Sequence, residues 1–342
     1  MHVTAPSPMF GRRHLPKVSL GVALLAAGTL AASCSSSSKS TSSGPTTAPL
    51  TGLVVSSVPQ RPALSIKVDN SPQALPQSGL DKADIVTDAL VEGGLTRLLA
   101  TYQSQDAAQV GPIRSARPVD AALLRQLGGG IFAYSGAAAG EIAPVKAQST
   151  ATLLSFDAGI SAFKQVPGKP VPFQVYASTS DLYSAGSKAG ASSNPPKPIF
   201  TYSTTVPKGS SGTTARVPMS NISNVTWTWD PTTQTYLRTQ NGRNDVLADG
   251  SRISANDVVV MSVAIGPTGI FDTAGNEDPY VLVTGSGPVS VLRNGQVVTG
   301  TWNRPTIGDT MKLTDSSGAV IPLQPGRTWI ELQQRPLQPA IS

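Results

Sequence analysis

The chain of 342 residues carries 26 Lys and Arg against 20 Asp and Glu, a formal net charge of +6, with one cysteine and two histidines. The lone cysteine, Cys34, rules out an internal disulfide, and both histidines, His2 and His14, lie at the very start. Processing that removes this start leaves no histidine. It thereby excludes a Ser-His-Asp triad, a Cys-His pair, a histidine general base and a zinc site built on His or Cys.

Arg12, Arg13 and Lys17 precede an apolar run from Val18 to Ala32. At about 15 residues the run is short for a membrane-spanning helix, which needs roughly 20. It suits the apolar core of a signal peptide, so residues 1–33 are expected to be one. Leu30-Ala31-Ala32-Ser33-Cys34 is similar to a lipobox, with Ala31 where Leu is commoner. Cys34 is therefore the expected site of lipidation by palmitate or related chains. An ordinary signal peptide with a chance cysteine is the other reading. Arg12-Arg13-His14-Leu15 resembles part of a twin-arginine signal, with Pro16 against it, so Sec and twin-arginine export both stand. Two or three acyl chains hold firmly to a membrane, at about 0.8 kcal/mol per buried CH₂. The expected location is extracytoplasmic, anchored to the outer face of the cytoplasmic membrane. Cleavage before Cys34 removes Arg12, Arg13 and Lys17 and leaves 23 basic against 20 acidic residues, a net of +3. That charge gives little general attraction to nucleic acid, and no nucleic-acid partner is expected.

Residues 34–48 are nearly all Ser, Thr, Gly, Lys and Pro, too polar to offset the entropy of ordering, and are expected to form a disordered tether. Residues 49–203 read as a mixed α/β domain. Strands are predicted over 63–68, 83–91, 95–102 and 131–134, with a tight turn at Gly93-Gly94. Helices are predicted over 118–127, with Pro118 in its first turn and Gly128 as its stop, and over 178–185, capped by Ser178 or Thr179. Ser-, Gly- and Pro-rich stretches at 185–200 and 204–216 mark a junction. Residues 217–334 read as a β-rich domain with strands at 225–229, 235–237, 258–265, 280–284, 289–293, 296–302 and 328–332. Asn294-Gly295 is a strong hairpin signal. The expected fold class is α+β, a mixed α/β N-terminal domain followed by a β-rich C-terminal one.

Ile66-Lys67-Val68-Asp69-Asn70-Ser71-Pro72, Val91-Glu92-Gly93-Gly94-Leu95-Thr96-Arg97 and, most specifically, Gly111-Pro112-Ile113-Arg114-Ser115-Ala116-Arg117-Pro118 resemble segments of the YerB-like bacterial lipoproteins. Phe132-Ala133-Tyr134-Ser135-Gly136, Val175-Tyr176-Ala177-Ser178-Thr179, Gly300-Thr301-Trp302 and Pro325-Gly326-Arg327-Thr328-Trp329 continue the likeness over nearly all of residues 49–334. The resemblance implies a two-domain cell-surface lipoprotein without an established activity. In the family a Pro-His-Asn often precedes Tyr-Ala-Ser-Thr. Here the positions read Pro172-Phe173-Gln174, so a shared function resting on that histidine is put in doubt.

The foremost candidate site is an anion site made by Arg114, Arg117 and Arg97. Arginine presents a planar fork that suits phosphate or carboxylate, and a helix N-terminus adds unpaired N–H groups. Asp69, Asp88, Glu92 and Asp120 are the supporting carboxylates. Alternatively, Arg114 and Arg117 pair with Asp69, Asp84, Asp88 or Glu92 in a structural network. Asp84, Asp88 and Glu92, four apart, are predicted on one face of a strand, where they suit a divalent cation or acid–base work, or serve as arginine partners. Asp272, Asn276, Glu277 and Asp278 read as a solvated loop. Ser135 with Lys146 or Lys164 is the weakest catalytic pairing. Trp227, Trp229, Trp302 and Trp329 suit β-core packing or sugar stacking. No metal or cofactor is expected. The reading that results is a non-catalytic binding or scaffolding lipoprotein, held to the membrane through Cys34 and recognising a cell-wall polymer, a lipid head group or an envelope protein. The alternative is a metal-dependent phosphoryl- or glycan-transfer enzyme using Arg and Asp.

Overall fold

The computed structural model describes residues 45–206, 208–272 and 274–342. The expected signal peptide, Cys34 and most of the expected tether lie outside the described residues. The described residues form one compact unit. Its first half contains β1 (Leu64–Asp69), β2 (Ile85–Leu90), β3 (Thr96–Tyr102), α1 (Pro118–Arg125), β4 (Ile131–Tyr134), α2 (Ala139–Gln148), β5 (Thr152–Ser155), β6 (Phe163–Gln165), β7 (Val175–Ala177) and α3 (Thr179–Lys188). The second half is β-rich: β8 (Ser210–Ser211), β9 (Thr214–Pro218), β10 (Asn224–Asp230), β11 (Thr235–Gln240), β12 (Arg243–Asn244), β13 (Ser254–Ala255), β14 (Asp257–Phe271), β15 (Glu277–Leu282), β16 (Gly285–Arg293), β17 (Gln296–Arg304), β18 (Lys312–Asp315), β19 (Thr328–Gln334) and β20 (Ala340–Ile341).

Strands of both halves belong to one 12-stranded sheet, in the order β18-β17-β16-β14-β19-β2-β3-β1-β4-β5, with β15 on β14 and β8 on β17. The seam is the parallel pair β19–β2, where Thr328, Trp329, Ile330 and Glu331 face Ile85, Val86, Thr87 and Asp88. The segments 49–203 and 217–334 thus share a sheet, and each of the two apolar clusters draws residues from both. One cluster packs α1 and α2 (Val119, Leu123, Leu124, Ile142, Val145) against Ile85, Leu99, Phe132 and Tyr134 of the sheet. The other covers the opposite face with α3 (Leu182) and a second sheet of six strands, in which β12-β11-β10-β9-β20 form the path and β13 pairs with β11. Along β14, Val258 and Val260 belong to one cluster and Val259, Met261 and Val263 to the other. Side chains alternate across a strand, so a strand buried on both faces reads as a continuous apolar run.

Three tryptophans, Trp227, Trp302 and Trp329, are fully buried. Trp227 and Trp329 meet edge-to-face at 5.3 Å between the two sheets. They are core residues, not a sugar platform. Asn294 and Gly295 both adopt positive φ and join β16 to β17 in the expected hairpin. The tight turn at Gly93-Gly94 is a 3₁₀ turn over Glu92–Gly94, gripped from the second sheet by the hydroxyls of Ser220 and Ser223, which donate to the Gly94 carbonyl at 2.6 and 3.0 Å. At the other end of the molecule the start of the described chain is fastened down. Leu50 is fully buried, its carbonyl accepts from the Tyr202 hydroxyl at 2.6 Å, and Thr51 accepts from the Gly326 amide at 2.8 Å. Among the described residues no helix is long and apolar enough to cross a membrane.

Candidate functional site

β1, β2, β4, β5, β14 and β19 all run in one direction, with β3 antiparallel between β2 and β1. The loops beyond their carboxyl ends surround a cleft of about 520 Å³. In open sheets of this kind the carboxyl ends are where ligands bind, and the volume is within the usual range of small-molecule sites. Its walls include Asp69 at the end of β1, Glu92 after β2, Arg97 at the start of β3, and Arg114, Ser115 and Arg117 from the loop before α1. Ala138 and Glu141 at the start of α2, Phe173, and Phe271 and Asp272 at the tip of the β14–β15 hairpin complete it. All three arginines expected from sequence therefore meet at one cleft.

The arginine loop is set by close packing. Gly111 approaches Tyr176 so nearly that a Cβ would stand 2.6 Å from its ring, which only glycine avoids. The Arg114 amide donates to the Lys67 carbonyl at 2.9 Å, and the Arg114 carbonyl accepts from the Ser135 amide at 3.0 Å. Asp120 closes the start of α1: its carboxylate accepts from the Arg117 amide at 2.7 Å and from the Lys67 ammonium at 2.7 Å. Both side chains of the Lys67–Asp120 pair are fully buried, and burial pulls the lysine pKa down against the pull of Asp120. Asp120 is thus an anchor beneath the cleft, not part of its wall.

The three arginines are engaged to different degrees. Arg117 is sealed: its guanidinium pairs with both oxygens of Glu92, stands 3.2 Å from Glu141 and 3.3 Å from Asp278, and donates to the Ala116 carbonyl at 2.7 Å. Asp278 is buried with neither oxygen hydrogen-bonded. Burial, opposed by Arg117 and reinforced by Glu92 and Glu141, pushes its carboxyl up to about 7. The loop expected to be solvated from 272 to 278 therefore ends in a buried carboxylate, because Arg117 draws it inward. Arg97 is also largely buried, 3.8 Å from Glu92 and 3.4 Å from the Ser115 carbonyl. Burial and then the Arg117 charge pull it down to about 10.

Arg114 differs. Its side chain is 21% exposed, and only its Nε is bonded, donating to Asp69 at 2.5 Å. The Asp69 carboxylate is held in turn by the Ser71 amide at 2.7 Å. Among the described residues the two terminal nitrogens of Arg114 have no hydrogen-bonding partner. Phe173 lies beneath the guanidinium with its ring centre 5.8 Å away.

The remaining carboxylates do not gather at one place. Asp84 caps the loop after β3, accepting from the Ser104 amide at 2.9 Å and from its hydroxyl. Asp88 is fully buried under the second sheet, 2.7 Å from Arg238, which also pairs with Asp245 and lies 3.7 Å from Glu331. The strand face that carries Asp88 is covered by β11, so it is a core position, remote in chemistry from Glu92 at the cleft. Among the described residues no group of three or more His, Cys, Asp or Glu is placed to hold a metal ion. The three carboxylates that do come together, Glu92, Glu141 and Asp278, do so around the Arg117 guanidinium. Ser135 and Lys164 are apart in role, with the Lys164 ammonium donating to the Ser161 carbonyl at 2.8 Å.

The model of the protein of unknown function (DUF3048) N-terminal domain matches residues 50–192, and that of the DUF3048 C-terminal domain matches residues 215–330. The chain belongs to the DUF3048 family. It is similar to YerB of Bacillus subtilis (strain 168), which is named as a lipoprotein, at 29% identity over 292 residues, covering 83% of this chain and 85% of YerB. The crystal structure of YerB superposes with a TM-score of 0.75 at 27% identity, covering 87% of this chain and 99% of that one. The mixed α/β N-terminal part and the β-rich C-terminal part of the DUF3048 proteins thus correspond to the two halves of the shared sheet.

Proposed function

We propose that this DUF3048 protein is an envelope lipoprotein that binds, without transforming it, a ligand bearing a phosphate or carboxylate group, and that Arg114 is the contact for that group. The observation that carries the reading is the pair of terminal nitrogens of Arg114, which have no hydrogen-bonding partner among the described residues and stand at a cleft of about 520 Å³. Asp69 holds the guanidinium by its Nε and leaves the outer fork for a bidentate contact. Arg97 adds positive charge behind it, while Arg117 is fully committed to Glu92, Glu141 and Asp278 and serves to shape the wall. The likeness to a named lipoprotein and the sequence around Cys34 support acylation at Cys34 and an anchor on the outer face of the cytoplasmic membrane.

The test is calorimetric titration of inorganic phosphate into the full chain in detergent, as wild type and as Arg114→Gln. Saturable binding by wild type that the variant loses, with melting of the variant still cooperative, is the expected result. Equal binding by the two proteins would remove Arg114 from the site.

A further inference from the structure

Two phenylalanines stand in the walls of the Arg114 cleft, and neither is needed to bind a bare anion. Phe173 lies under the Arg114 guanidinium, and Phe271 is 62% exposed at the tip of the β14–β15 hairpin. Phe271 is the most exposed large aromatic side chain among the described residues. Leaving a phenyl ring in water forgoes the free energy of burying it, and at the rim of a cleft the ring offers an apolar face on which a bound ligand can lie.

The polar groups of the walls likewise go beyond what a bare anion needs. Asp69, Glu92, Glu141 and Asp272 share the cleft with the arginines. Carboxylates repel a second anion but accept hydrogen bonds from hydroxyl groups. The Ser71 hydroxyl, 6% exposed and also in the wall, has no hydrogen-bonding partner. A ligand suited to these walls has one acidic group, several hydroxyls that both donate and accept, and an apolar ring face to lay on phenyl rings. The cleft is also many times larger than a phosphate ion. A pyranose carrying a phosphate or carboxylate has all of these properties, whereas a glycerol-type lipid head group has the acid and the hydroxyls but no ring face.

We infer that the ligand of this cleft is a sugar bearing a phosphate or carboxylate, a unit of an anionic glycan, with the acid on Arg114 and the ring held between Phe173 and Phe271. The inference rests on the reading of Arg114 as the anion contact. It is tested by titrating three soluble probes into the full chain in detergent: inorganic phosphate, glycerol 3-phosphate as the head-group fragment, and glucose 1-phosphate. Each is run with wild type, Arg114→Gln and Phe271→Ala, the last an exposed position where the fold has little to lose. Glucose 1-phosphate is expected to bind wild type at least tenfold more tightly than either other probe. Phe271→Ala should reduce that advantage to less than threefold and leave phosphate unchanged, and Arg114→Gln should abolish binding of all three. Equal affinity for phosphate and glucose 1-phosphate, both lost in Arg114→Gln, would overturn the sugar and leave the anion contact standing. Tighter binding of glycerol 3-phosphate would assign a lipid head group instead. No binding of any probe would overturn the anion contact and the sugar with it.

Discussion

Two arginine clusters in this molecule are built alike and differ in what they leave over. Arg238, on β11, is fully buried against Asp88 of β2, Asp245 and Glu331 of β19, with Trp329 4.9 Å and Trp227 6.0 Å from its guanidinium. Arg117, beside the cleft, likewise has three carboxylates around it. In both, desolvation raises a carboxyl: Glu331 to about 8, and Asp278 to about 7. The Arg238 cluster is closed on every side and joins the two halves of the sheet to the second sheet. The Arg117 cluster is bordered by Arg114, whose outer nitrogens face a cavity. The number of ion pairs does not separate a structural arginine from a binding one. The nitrogens left without a partner at a cavity do.

The largest expected effect sharpens the structural side of this contrast. Arg238→Met removes the one cation from the buried cluster of Asp88, Asp245 and Glu331, and removing one partner of a buried ionic network costs about 3–5 kcal/mol. Urea unfolding should show that loss, and a change below about 1 kcal/mol would mean that the carboxylates are already neutral.

A smaller effect addresses the Arg117 cluster through pH. Asp278 keeps its proton to about pH 7 in the folded chain but only to about 3.9 in an unfolded one. The folded state therefore binds the extra proton between those values. Its stabilising contribution is complete below about pH 4 and is lost as the pH rises to about 7. Glu331, raised in the same direction, adds a similar slope up to about pH 8, so the variant Asp278→Asn is needed to isolate the first. The melting-temperature difference between wild type and Asp278→Asn should shift against wild type from pH 4 to 7 and stay constant above. A difference independent of pH would place the proton elsewhere.

The smallest effect on stability is expected at the cleft itself. Arg114 is partly exposed and Asp69 is buried, but the Ser71 amide still donates to Asp69 and a glutamine at 114 keeps a donor for it, so the loss is that of about one hydrogen bond, about 1 kcal/mol. Arg114→Gln should unfold within about 1 kcal/mol of wild type while losing phosphate. A cost of several kcal/mol would make Arg114 a second Arg238.

Much of this architecture is legible in the sequence, for identifiable reasons. The Asn294-Gly295 hairpin, the start of α1 at Pro118 and the Ser178 cap of α3, whose hydroxyl accepts from the Asp181 amide at 3.0 Å, are local chemistry. α2 is not legible, because Pro144 interrupts it and Gly140 weakens it, and tertiary packing of Ile142 and Val145 overrides both. The seam between β2 and β19 joins residues more than 240 positions apart, a pairing that no local signal encodes. The same applies to the site. Arg97, Arg114, Arg117 and Glu92 are evident as charged residues in family motifs, whereas Glu141 and Phe271 reach the cleft, and Asp278 reaches Arg117 behind it, only through the fold. Asp88 shares a strand spacing with Glu92 but belongs to the core, because β2 is covered on both faces.

The most direct measurement is a crystal structure of the full chain grown in detergent with phosphate at saturating concentration. A phosphate is expected in the cleft on the two terminal nitrogens of Arg114, with the Arg114 Nε still bonded to Asp69 and Arg238 still closed to solvent. Phosphate elsewhere with the cleft empty, or Arg114 turned inward with all its nitrogens bonded to protein, would rule out Arg114 as the anion contact.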